Sequence, residues 1–546
     1  MNRRDFFLAT LSIGSLSLIP KWASGHENSP LDSFLQVHGM DIAPLERVGR
    51  YGGSATVEGD TPDEAHEIFW NKDGYIAKKG GIPESSEDFD VVIVGGGIAG
   101  LTSAYLLKNK KVLVIEGNPR LGGNSKSQLF GRNYVSQGAA YITIPDSGDE
   151  IDTFLRKLNL KSKFRQVDHN DESITLGGKF VTGFWDGATD PSKASDFKRA
   201  YEKFADVYEN RYPEIPVWDD SSSGRSYFNS LDRISFTAWL KRELGTVHPH
   251  IMEYITLYCW SSFCGSPDEI SAAQGLNFLT CDLAGTLVLP GGNGLISEAL
   301  YRELKKRSSV TLLTEAFAVD VKSDRNKVQV CFKDSSNKLV TVNASHCIFA
   351  GPKLVAKKVI SDIPDAQLKA MDKINYRAYL VGNVFLRKKV PSKGYDIFTM
   401  DGNVPGDEYN DSKDRVFADV VFADWAIKDA VSKSILTLYM PLPYDMAQQY
   451  LFVPTLYEKY VARIHARLKP FLEAAGLSLN DVEGIRLVRY GHALPLAEVG
   501  GVSSGIFEKA NASINGNIHF ANQDNWGNPC FETSFGAALN VVKSIT

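Results

Sequence analysis

The feature that most constrains this chain is a glycine-rich turn between a strand-like run and a helix-like run. Val91-Val92-Ile93-Val94 is continuously apolar, as expected for a parallel strand buried on both faces. Gly95-Gly96-Gly97-Ile98-Ala99-Gly100 follows with the spacing Gly-x-Gly-x-x-Gly, and residues 101–108 have helical composition. Gly95 allows a tight turn, Gly97 lets a pyrophosphate approach the backbone, and Gly100 allows close helix–strand packing. Together with Ala99, these glycines predict a dinucleotide site at a helix N-terminus, whose free N–H groups attract phosphate.

An acidic residue after the next strand narrows the choice of dinucleotide. The apolar run at 112–115 ends at Glu116. This acid follows Gly95 by about 20 positions, which is the spacing of a ribose-binding acid. A carboxylate there accepts hydrogen bonds from ribose hydroxyls and repels a 2′-phosphate. The sequence therefore predicts FAD or NAD and argues against NADP.

A second glycine pair favours FAD. Arg120-Leu121-Gly122-Gly123 resembles the flavin-binding extension of the FAD-dependent amine oxidase and phytoene desaturase superfamily. A second close approach of the backbone suits a bulkier cofactor with a ribityl chain. We therefore expect Gly122, Gly123 and Asn124 to contact FAD, although many amine oxidases carry an arginine where Asn124 stands. Residues 134–142 resemble the segment that runs beneath the isoalloxazine in that superfamily.

Three later blocks, 288–322, 345–360 and 517–545, resemble the same superfamily in the same order. The resemblance implies that the backbone of Ala318-Val319 meets the adenine and that Asp524 binds the cofactor. It also implies that a helix opening at Gly536 brings Ala537 to the pyrimidine end of the flavin, where a helix N-terminus stabilises negative charge. The implied fold is α/β, with a Rossmann-like (GR2-type) FAD-binding domain and an inserted α+β substrate domain.

The start of the chain predicts export. Arg3-Arg4, Phe6-Phe7-Leu8 and a modest apolar run to Ile19 resemble a twin-arginine signal, with cleavage expected near Gly25. The run is shorter than the roughly 20 residues that a membrane span needs. An ordinary secretory signal and an uncleaved anchor are the alternatives. We therefore expect a periplasmic or exported protein that is handled by the twin-arginine export machinery.

The segment after the signal suggests a closer relationship. Residues 49–75 resemble the amino-terminal extension of periplasmic spermidine dehydrogenases, which also carry a twin-arginine signal. This resemblance implies a polyamine substrate, with spermidine favoured, and haem beside FAD with His66 as a ligand. A surface histidine on a helix is the favoured alternative for His66, because the chain has no C-x-x-C-H attachment motif. We expect no other metal site.

Length and charge set the remaining limits. A chain of 546 residues is too long for a single hydrophobic core, because single cores stop growing at about 250–300 residues. After the signal (1–25) and the extension (26–85), we expect a discontinuous FAD-binding domain at 86–150, 280–360 and 490–546. The insertions 151–279 and 361–489 would form the substrate-binding lobe. A formal net charge of −5 gives no reason to expect nucleic acid and is compatible with a cationic substrate.

The segment 489–501 precedes the last flavin block and supplies two candidate catalytic residues. Tyr490 would lie at the flavin, and His492, with an ordinary pKa near about 6.5, could accept the proton that an ammonium loses. A structural histidine is the alternative. Glu498 and Glu532 are candidate anchors for a distal ammonium, against the alternative of solvated surface acids.

Two features of the superfamily are missing. Residues 374–386, where a lysine commonly holds a water near the flavin, contain no lysine. Thr533 stands where the second ring of an aromatic cage is expected, so Trp526 (as a catalytic residue) and Phe531 (as a substrate contact) are the nearest substitutes.

Together these features predict an FAD-dependent oxidoreductase that acts on CH–NH groups by hydride transfer to the flavin. Its partners would be a small amine and an electron acceptor, either oxygen or a periplasmic carrier. One alternative is a desaturase or isomerase of an apolar substrate with the same fold. The other is a flavin-binding protein without catalysis, which the intact glycines and Glu116 argue against.

Overall fold

The chain is organised around two large sheets with helices packed on them. The computed structural model describes residues 54–546 apart from 61, 131–132, 168–172, 216–221, 325, 392–393, 407, 428–430, 446 and 453–455. The predicted signal and the extension up to residue 53 lie outside these residues. The α-helices are α1 (Pro62–Trp70), α2 (Lys72–Lys78), α3 (Ile98–Leu106), α4 (Glu150–Lys157), α5 (Ala194–Arg211), α6 (Ser222–Asp232), α7 (Phe236–Leu244), α8 (Pro249–Phe263), α9 (Ala272–Ala284), α10 (Gly294–Lys305), α11 (Lys353–Val359), α12 (Asp365–Met371), α13 (Glu408–Arg415), α14 (Ala447–Leu451), α15 (Leu456–Ala474), α16 (Ile506–Ala510) and α17 (Phe531–Ile545). The strands are β1 (Ser54–Gly59), β2 (Ser85–Val94), β3 (Val112–Ile115), β4 (Ser127–Phe130), β5 (Asn133–Ser136), β6 (Tyr141–Ile142), β7 (Arg165–Val167), β8 (Ser173–Leu176), β9 (Lys179–Thr182), β10 (Thr286–Val288), β11 (Val310–Leu313), β12 (Phe317–Ser323), β13 (Val328–Lys333), β14 (Leu339–Phe349), β15 (Tyr376–Leu386), β16 (Asp396–Met400), β17 (Asp419–Phe422), β18 (Ile435–Leu442), β19 (Val482–Pro495) and β20 (Ile518–Phe520).

The first sheet carries the glycine turn. Its strands β11-β3-β2-β14 are parallel, and antiparallel β13 and β12 continue it. The end of β14 also pairs with β20. β2 ends in four buried apolar residues, and α3 begins directly after the glycine turn. Gly100 permits this because a Cβ there would lie 1.9 Å from the carbonyl oxygen of Gly95. The predicted Rossmann-like unit is confirmed.

The second sheet belongs to the substrate lobe and runs in the order β1-β19-β15-β18-β17-β16-β8-β9. The central strands β15 and β18 are buried along their whole length, because one face packs against α15 and the other faces the cofactor lobe. Helices α5 to α9 form a separate apolar layer. β19 is continuous from 482 to 495, so the domain boundary expected at 490 falls inside a strand that still pairs with β15 at Pro495.

The extension contacts both lobes. β1 adds a parallel edge strand to the substrate sheet, with Ser54 opposite Gly484 and Gly59 opposite Arg489. α1 and α2 instead pack on the antiparallel arm of the cofactor sheet, where the rings of Phe69 and Phe317 lie 5.5 Å apart. The extension therefore joins the two sheets.

Two further properties follow from the packing. All six cysteines are free thiols, five of them buried. Within the described part of the chain, no helix has the length and apolar character needed to cross a bilayer.

Candidate active site

A cavity of about 490 Å³ opens at the carboxyl ends of β2 and β3. Both glycine turns line it, through Gly95, Gly97, Gly122 and Gly123. Gly95 has a φ of +110°, which favours glycine. Gly97 is the N-cap of α3 and offers no side chain to cap it, and a Cβ on Gly97 would meet only the Gly123 backbone, at 3.6 Å. The N-terminus of α3 is therefore an uncapped anion site that faces the cavity through Ala99.

Glu116 marks one end of this cavity. The buried carboxylate accepts hydrogen bonds from the N–H of Gly96 (2.8 Å) and from the N–H and Nδ2 of Asn118 (both 2.8 Å). A carboxylate has about four acceptor sites, so about one remains for a ribose hydroxyl. Ala318 lines this cavity, whereas Val319 is not among the residues that line it. The alternation of β12 turns the Val319 side chain away to pack with Ile68 and Tyr75, so the contact expected between the Ala318-Val319 backbone and the adenine stays a prediction.

The C-terminal block reaches the cavity differently from the prediction. α17 begins at Phe531 rather than Gly536, because Cys530 caps it by accepting the N–H of Thr533 through Sγ. Phe531 and Cys530 line the cavity, whereas Ala537 lies more than a turn farther along the helix. Ala537 and Trp526 line a separate cavity of about 890 Å³. Neither is therefore placed to contact a ligand bound against the glycine turns.

Asp524 is also directed elsewhere. Its fully buried carboxylate forms an ion pair with Lys353 and accepts hydrogen bonds from the Lys353 N–H (2.7 Å) and the Tyr376 hydroxyl (2.6 Å). A buried carboxylate needs such partners, and these partners occupy it. The preceding residues Asn522 and Gln523 line the cavity in its place.

The residues present at this site fit FAD. Two glycine turns leave room against the backbone, an uncapped helix N-terminus suits a pyrophosphate, and the Glu116 carboxylate, which keeps an acceptor site, suits a ribose hydroxyl. Asn124 and Ala139 also line this cavity. Gly138 permits this approach because a Cβ there would lie 1.2 Å from the carbonyl oxygen of Asn124.

A cluster of buried charged side chains lies beside this cavity. Burial raises the pKa of Glu58 to about 7, although Arg486, Arg120 and Lys126 oppose this. Burial also raises the pKa of Asp60, which lines the cavity and accepts the N–H of Gly491 at 2.8 Å. Both acids come from the extension, so the extension supplies part of the wall of the cofactor site.

Tyr490 and His492 both line the cavity, as predicted. The Tyr490 hydroxyl donates to the carbonyl of Gln137, and burial raises the pKa of this phenol, so it stays protonated. The protein packed around the imidazole, followed by nearby His66 and Lys357, lowers the pKa of His492 to about 4. Its side chain is nevertheless exposed at the cavity. A neutral imidazole with this pKa is a poor acceptor for the proton of an ammonium.

The two predicted ammonium anchors have other partners. Glu498 accepts a hydrogen bond from Asn375 at 2.8 Å, and Glu532 accepts one from the N–H of Thr143 at 2.6 Å. Neither lines the cofactor cavity. His66 is exposed on α1 and lines the same cavity as His492. Its role as a haem ligand stays a prediction from the resemblance.

A row of tyrosines leads from the cofactor cavity across the substrate sheet. The tyrosine face comprises Tyr141, Tyr379, Tyr395, Tyr439 and Tyr490. Tyr490 on β19 pairs with Tyr379 on β15, whose ring lies 6.2 Å from that of Tyr439 on β18. Tyr439 pairs in turn with Asp419 on β17. Burial raises the pKa of Tyr379 and Tyr141, so these hydroxyls stay protonated.

Asp419 is the exceptional residue of this row. Its side chain is fully buried, and its hydrogen-bonding neighbours are Ser261 and a second acid, Asp396. No ion pair to it exists among the described residues. Burial raises its pKa to about 7, which these two neighbours only partly oppose. A buried carboxyl without an ion-pair partner is costly to ionise unless a ligand supplies the missing positive charge.

The sequence did carry a signal for the two buried acids Asp396 and Asp419. The strands DIFTM (β16) and DVVF (β17) each begin with an aspartate and are otherwise composed of residues suited to a buried strand. An acid at the start of a fully buried strand is unusual and indicates a functional site.

The class of protein follows from the match of the flavin-containing amine oxidoreductase family to residues 98–450. The chain belongs to this family. It is an FAD-dependent oxidoreductase that acts on CH–NH groups, with a small amine as substrate and a separate electron acceptor. Membership favours this over the desaturase, isomerase and non-catalytic alternatives.

Individual relatives agree with this class. The chain is similar to Oxidoreductase PigB of Serratia sp., with 26% identity over 514 residues, covering 84% of this chain and 75% of that protein. It is 24% identical over 291 residues to the flavin-containing amine oxidase of Oncorhynchus mykiss, covering 48% of this chain and 50% of that protein.

Solved structures confirm the fold. Putrescine oxidase bound to putrescine superposes with a TM-score of 0.63 at 16% identity, covering 84% of this chain and 99% of that chain. Cyclohexylamine oxidase from Brevibacterium oxydans gives a TM-score of 0.57 at 15% identity, with 84% and 98% covered. An FAD-binding domain joined to a substrate domain is therefore the architecture of this protein.

Proposed function

We propose that this enzyme oxidises a polyamine, with spermidine favoured. The observation that carries the proposal is Asp419, a fully buried carboxyl that has no ion-pair partner among the described residues and lies beside a second acid, Asp396. An ammonium group of the substrate would supply the missing charge and hold the carboxyl in its ionised form. Protonated nitrogens are the defining groups of a polyamine, so the site and the ligand complement each other.

The position of Asp419 suits a substrate with at least two nitrogens. Three strand spacings separate β19, which carries Tyr490, from β17, which carries Asp419. At about 4.8 Å per spacing, this is roughly 14 Å. One nitrogen can therefore lie at the cofactor cavity while another lies near Asp419. A monoamine would leave Asp419 without a counter-ion.

The chain's own residues would orient and dehydrate the amine. FAD, when bound, accepts a hydride from the C–H bond beside the nitrogen. The protonated hydroxyls of the tyrosine face can accept hydrogen bonds from substrate nitrogens, and the ring faces attract cations. The site is apolar apart from these groups, so burial strengthens each electrostatic contact.

Two further considerations support the proposal. One of the solved structures that share this fold is an oxidase bound to putrescine, a diamine. The extension that resembles spermidine dehydrogenases contributes Glu58 and Asp60 beside the cofactor cavity. Export by the twin-arginine pathway, as a folded and FAD-loaded protein, is part of the same proposal. Replacing Arg3 and Arg4 together by lysine should retain the enzyme in the cytoplasm, as fractionation would show.

The direct test of the substrate is Asp419→Asn, which keeps the shape and removes the charge. Removing one partner of a buried charge pair costs about 2–5 kcal/mol in interfaces. We expect the KM for spermidine to rise about 30-fold or more, because its distal ammonium loses its counter-ion. The KM for putrescine, which is too short to reach Asp419 from the cofactor cavity, should stay within about twofold.

The controls separate binding from folding. FAD content should be unchanged, since Asp419 lies outside the cofactor cavity. Glu209→Gln removes an exposed acid from α5 and should leave all constants unchanged. Equal KM values for spermidine in wild type and Asp419→Asn would refute the assignment of Asp419.

A further inference from the structure

A second cavity, with a volume of about 430 Å³, lies beside β16 and is bounded by α5 and α8. We call it the outer pocket. None of the described residues that line it also lines the cofactor cavity. A molecule held in the outer pocket is therefore separate from one bound at the cofactor cavity. The lining of the outer pocket includes aromatic rings and acids, among them Trp185, Tyr254, Phe398, Asp186, Glu202 and Asp396.

The aromatic side chains form a continuous wall. Tyr254 stacks on Phe184 with ring centroids 5.0 Å apart and meets the edge of Trp185 at 5.4 Å. On its other side, Tyr254 contacts Phe398 at 5.0 Å. Aromatic faces attract ammonium groups, and cages of such rings recognise quaternary ammonium ligands. The wall therefore suits an organic cation.

The charges of the outer pocket favour the same kind of ligand. Asp186 and Glu202 are exposed, whereas Asp396 is nine-tenths buried. Lys198 is the one cation among the described lining residues, and its Nζ lies 3.8 Å from a carboxylate oxygen of Asp186. Both side chains of this pair are largely exposed, so their interaction is weak. The outer pocket is therefore acidic.

Asp396 connects the outer pocket to Asp419. Asp396 and Phe398 lie on one face of β16, and Phe398 pairs with Asp419 on β17. This register places Asp396 diagonal to Asp419, and the two carboxyls form a hydrogen bond. Such a pair holds one proton between its members, because two adjacent carboxylates repel each other. One negative charge is therefore shared by two positions, Asp396 at the outer pocket and Asp419 beside the tyrosine face.

We infer that the outer pocket binds a second amine molecule, and that this cation weakens the binding of the substrate at Asp419. A cation in the pocket favours the ionised form of Asp396, so the shared proton stays on Asp419. The distal ammonium of the substrate then meets an uncharged carboxyl. By linkage, a substrate at Asp419 weakens binding in the pocket by the same factor. The site in the pocket stands on its own contacts, whereas its effect on the substrate rests on the proposed function.

The test of the site uses tetramethylammonium, a quaternary cation that has no N–H bond and is not oxidised to an imine. Equilibrium dialysis against the FAD-loaded enzyme measures its binding without turnover. We expect Trp185→Leu and the double variant Asp186→Asn/Glu202→Gln each to raise the Kd of tetramethylammonium about 3- to 10-fold. Glu209→Gln, an exposed change on α5 outside the pocket, is the matched control and should bind as the wild type does. Equal Kd values for the wild type and both pocket variants would overturn the site.

Steady-state kinetics at constant ionic strength then measures the effect on the substrate. We expect tetramethylammonium to raise the KM for spermidine about 5-fold or more, up to a limit, because the two cations bind at separate positions. A competitor for one shared position would raise this KM without limit. The KM for putrescine, which is too short to reach Asp419, should stay within about twofold. Asp396→Asn should remove the response of the KM for spermidine, because an amide cannot take up the shared charge.

The outcomes distinguish this inference from the proposed function. If tetramethylammonium raises the KM for putrescine as much as that for spermidine, or raises neither, the pocket does not act on Asp419 and the inferred effect on the substrate fails. If no amine reduces the wild-type flavin, the proposed function fails, while the dialysis still decides whether the outer pocket binds a cation.

Discussion

The cofactor cavity and the tyrosine face are built in opposite ways. The cofactor cavity is formed largely by backbone, and its central residues lie within the continuous stretch from Gly95 to Asn124. The tyrosine face is formed by side chains from β6, β15, β18 and β19 and by Tyr395, the residue before β16, which the sheet register and packing bring together. The cofactor cavity depends on the absence of side chains at its glycines, whereas the tyrosine face depends on which side chains it has and where the strands place them. Substitutions should therefore act differently at the two sites.

The largest effect is expected at Gly97. A valine there meets little protein, because even a Cβ would contact only the Gly123 backbone at 3.6 Å. Its side chain would instead fill the space in which a pyrophosphate approaches α3. We expect Gly97→Val to fold but to lose FAD affinity by at least about 100-fold, since each 1.4 kcal/mol is a factor of ten. Flavin absorbance after dialysis measures this.

A matched control keeps this test specific. Gly406→Ala places a methyl group where the structure has no neighbour within 4 Å. It should retain full FAD content. If Gly97→Val also retains its flavin with wild-type affinity, the cavity beside the two glycine turns is not the cofactor site. The comparison between the two regions then no longer holds.

This contrast explains how far sequence alone could lead. The turn at Gly95, the acid Glu116 and the pair Gly122-Gly123 are contiguous signals, so the fold and the FAD site were predictable. Asp524 was placed by its order along the chain, but a buried lysine occupies it. Asp419 was not identified, because its importance comes from its pairing with Tyr439 and from burial without an ion-pair partner among the described residues.

A smaller effect is expected where the extension joins the two regions. The pKa of Glu58 is raised to about 7 in the folded protein, above its ordinary value. The folded state therefore holds this proton more tightly than the unfolded chain. The contribution of this carboxyl to the free energy of unfolding is fully present below about pH 4.5 and is lost as the pH rises through 7. We expect the free energy of unfolding of the wild type to fall by roughly 1–3 kcal/mol across this window, after allowance for partial exposure of Glu58.

The variant Glu58→Gln should abolish this loss. Thermal unfolding of the FAD-loaded protein at pH 5 and pH 8 provides the measurement, with the difference in Tm between the two pH values as the readout. Glu67→Gln, an exposed acid on α1, serves as the control. An unchanged pH dependence in Glu58→Gln would show that this carboxyl is not buried in the charge cluster.

The smallest effect is expected at His492. Its pKa of about 4 leaves it neutral above about pH 5, so it has no titration to contribute near neutrality. We expect His492→Gln to change kcat/KM for an amine by no more than about threefold, with the same pH profile between 6 and 9. Disappearance of an ionisation near pH 6.5 in this variant would instead identify His492 as the base.

The most direct test of the whole account is the absorption spectrum of the purified protein under anaerobic conditions, before and after addition of spermidine, putrescine and a monoamine. The account predicts a flavin band that is bleached by spermidine and putrescine and far more slowly by the monoamine, and a separate Soret band would report haem. A flavin band that no polyamine bleaches, or that the monoamine bleaches as readily as spermidine, would contradict it.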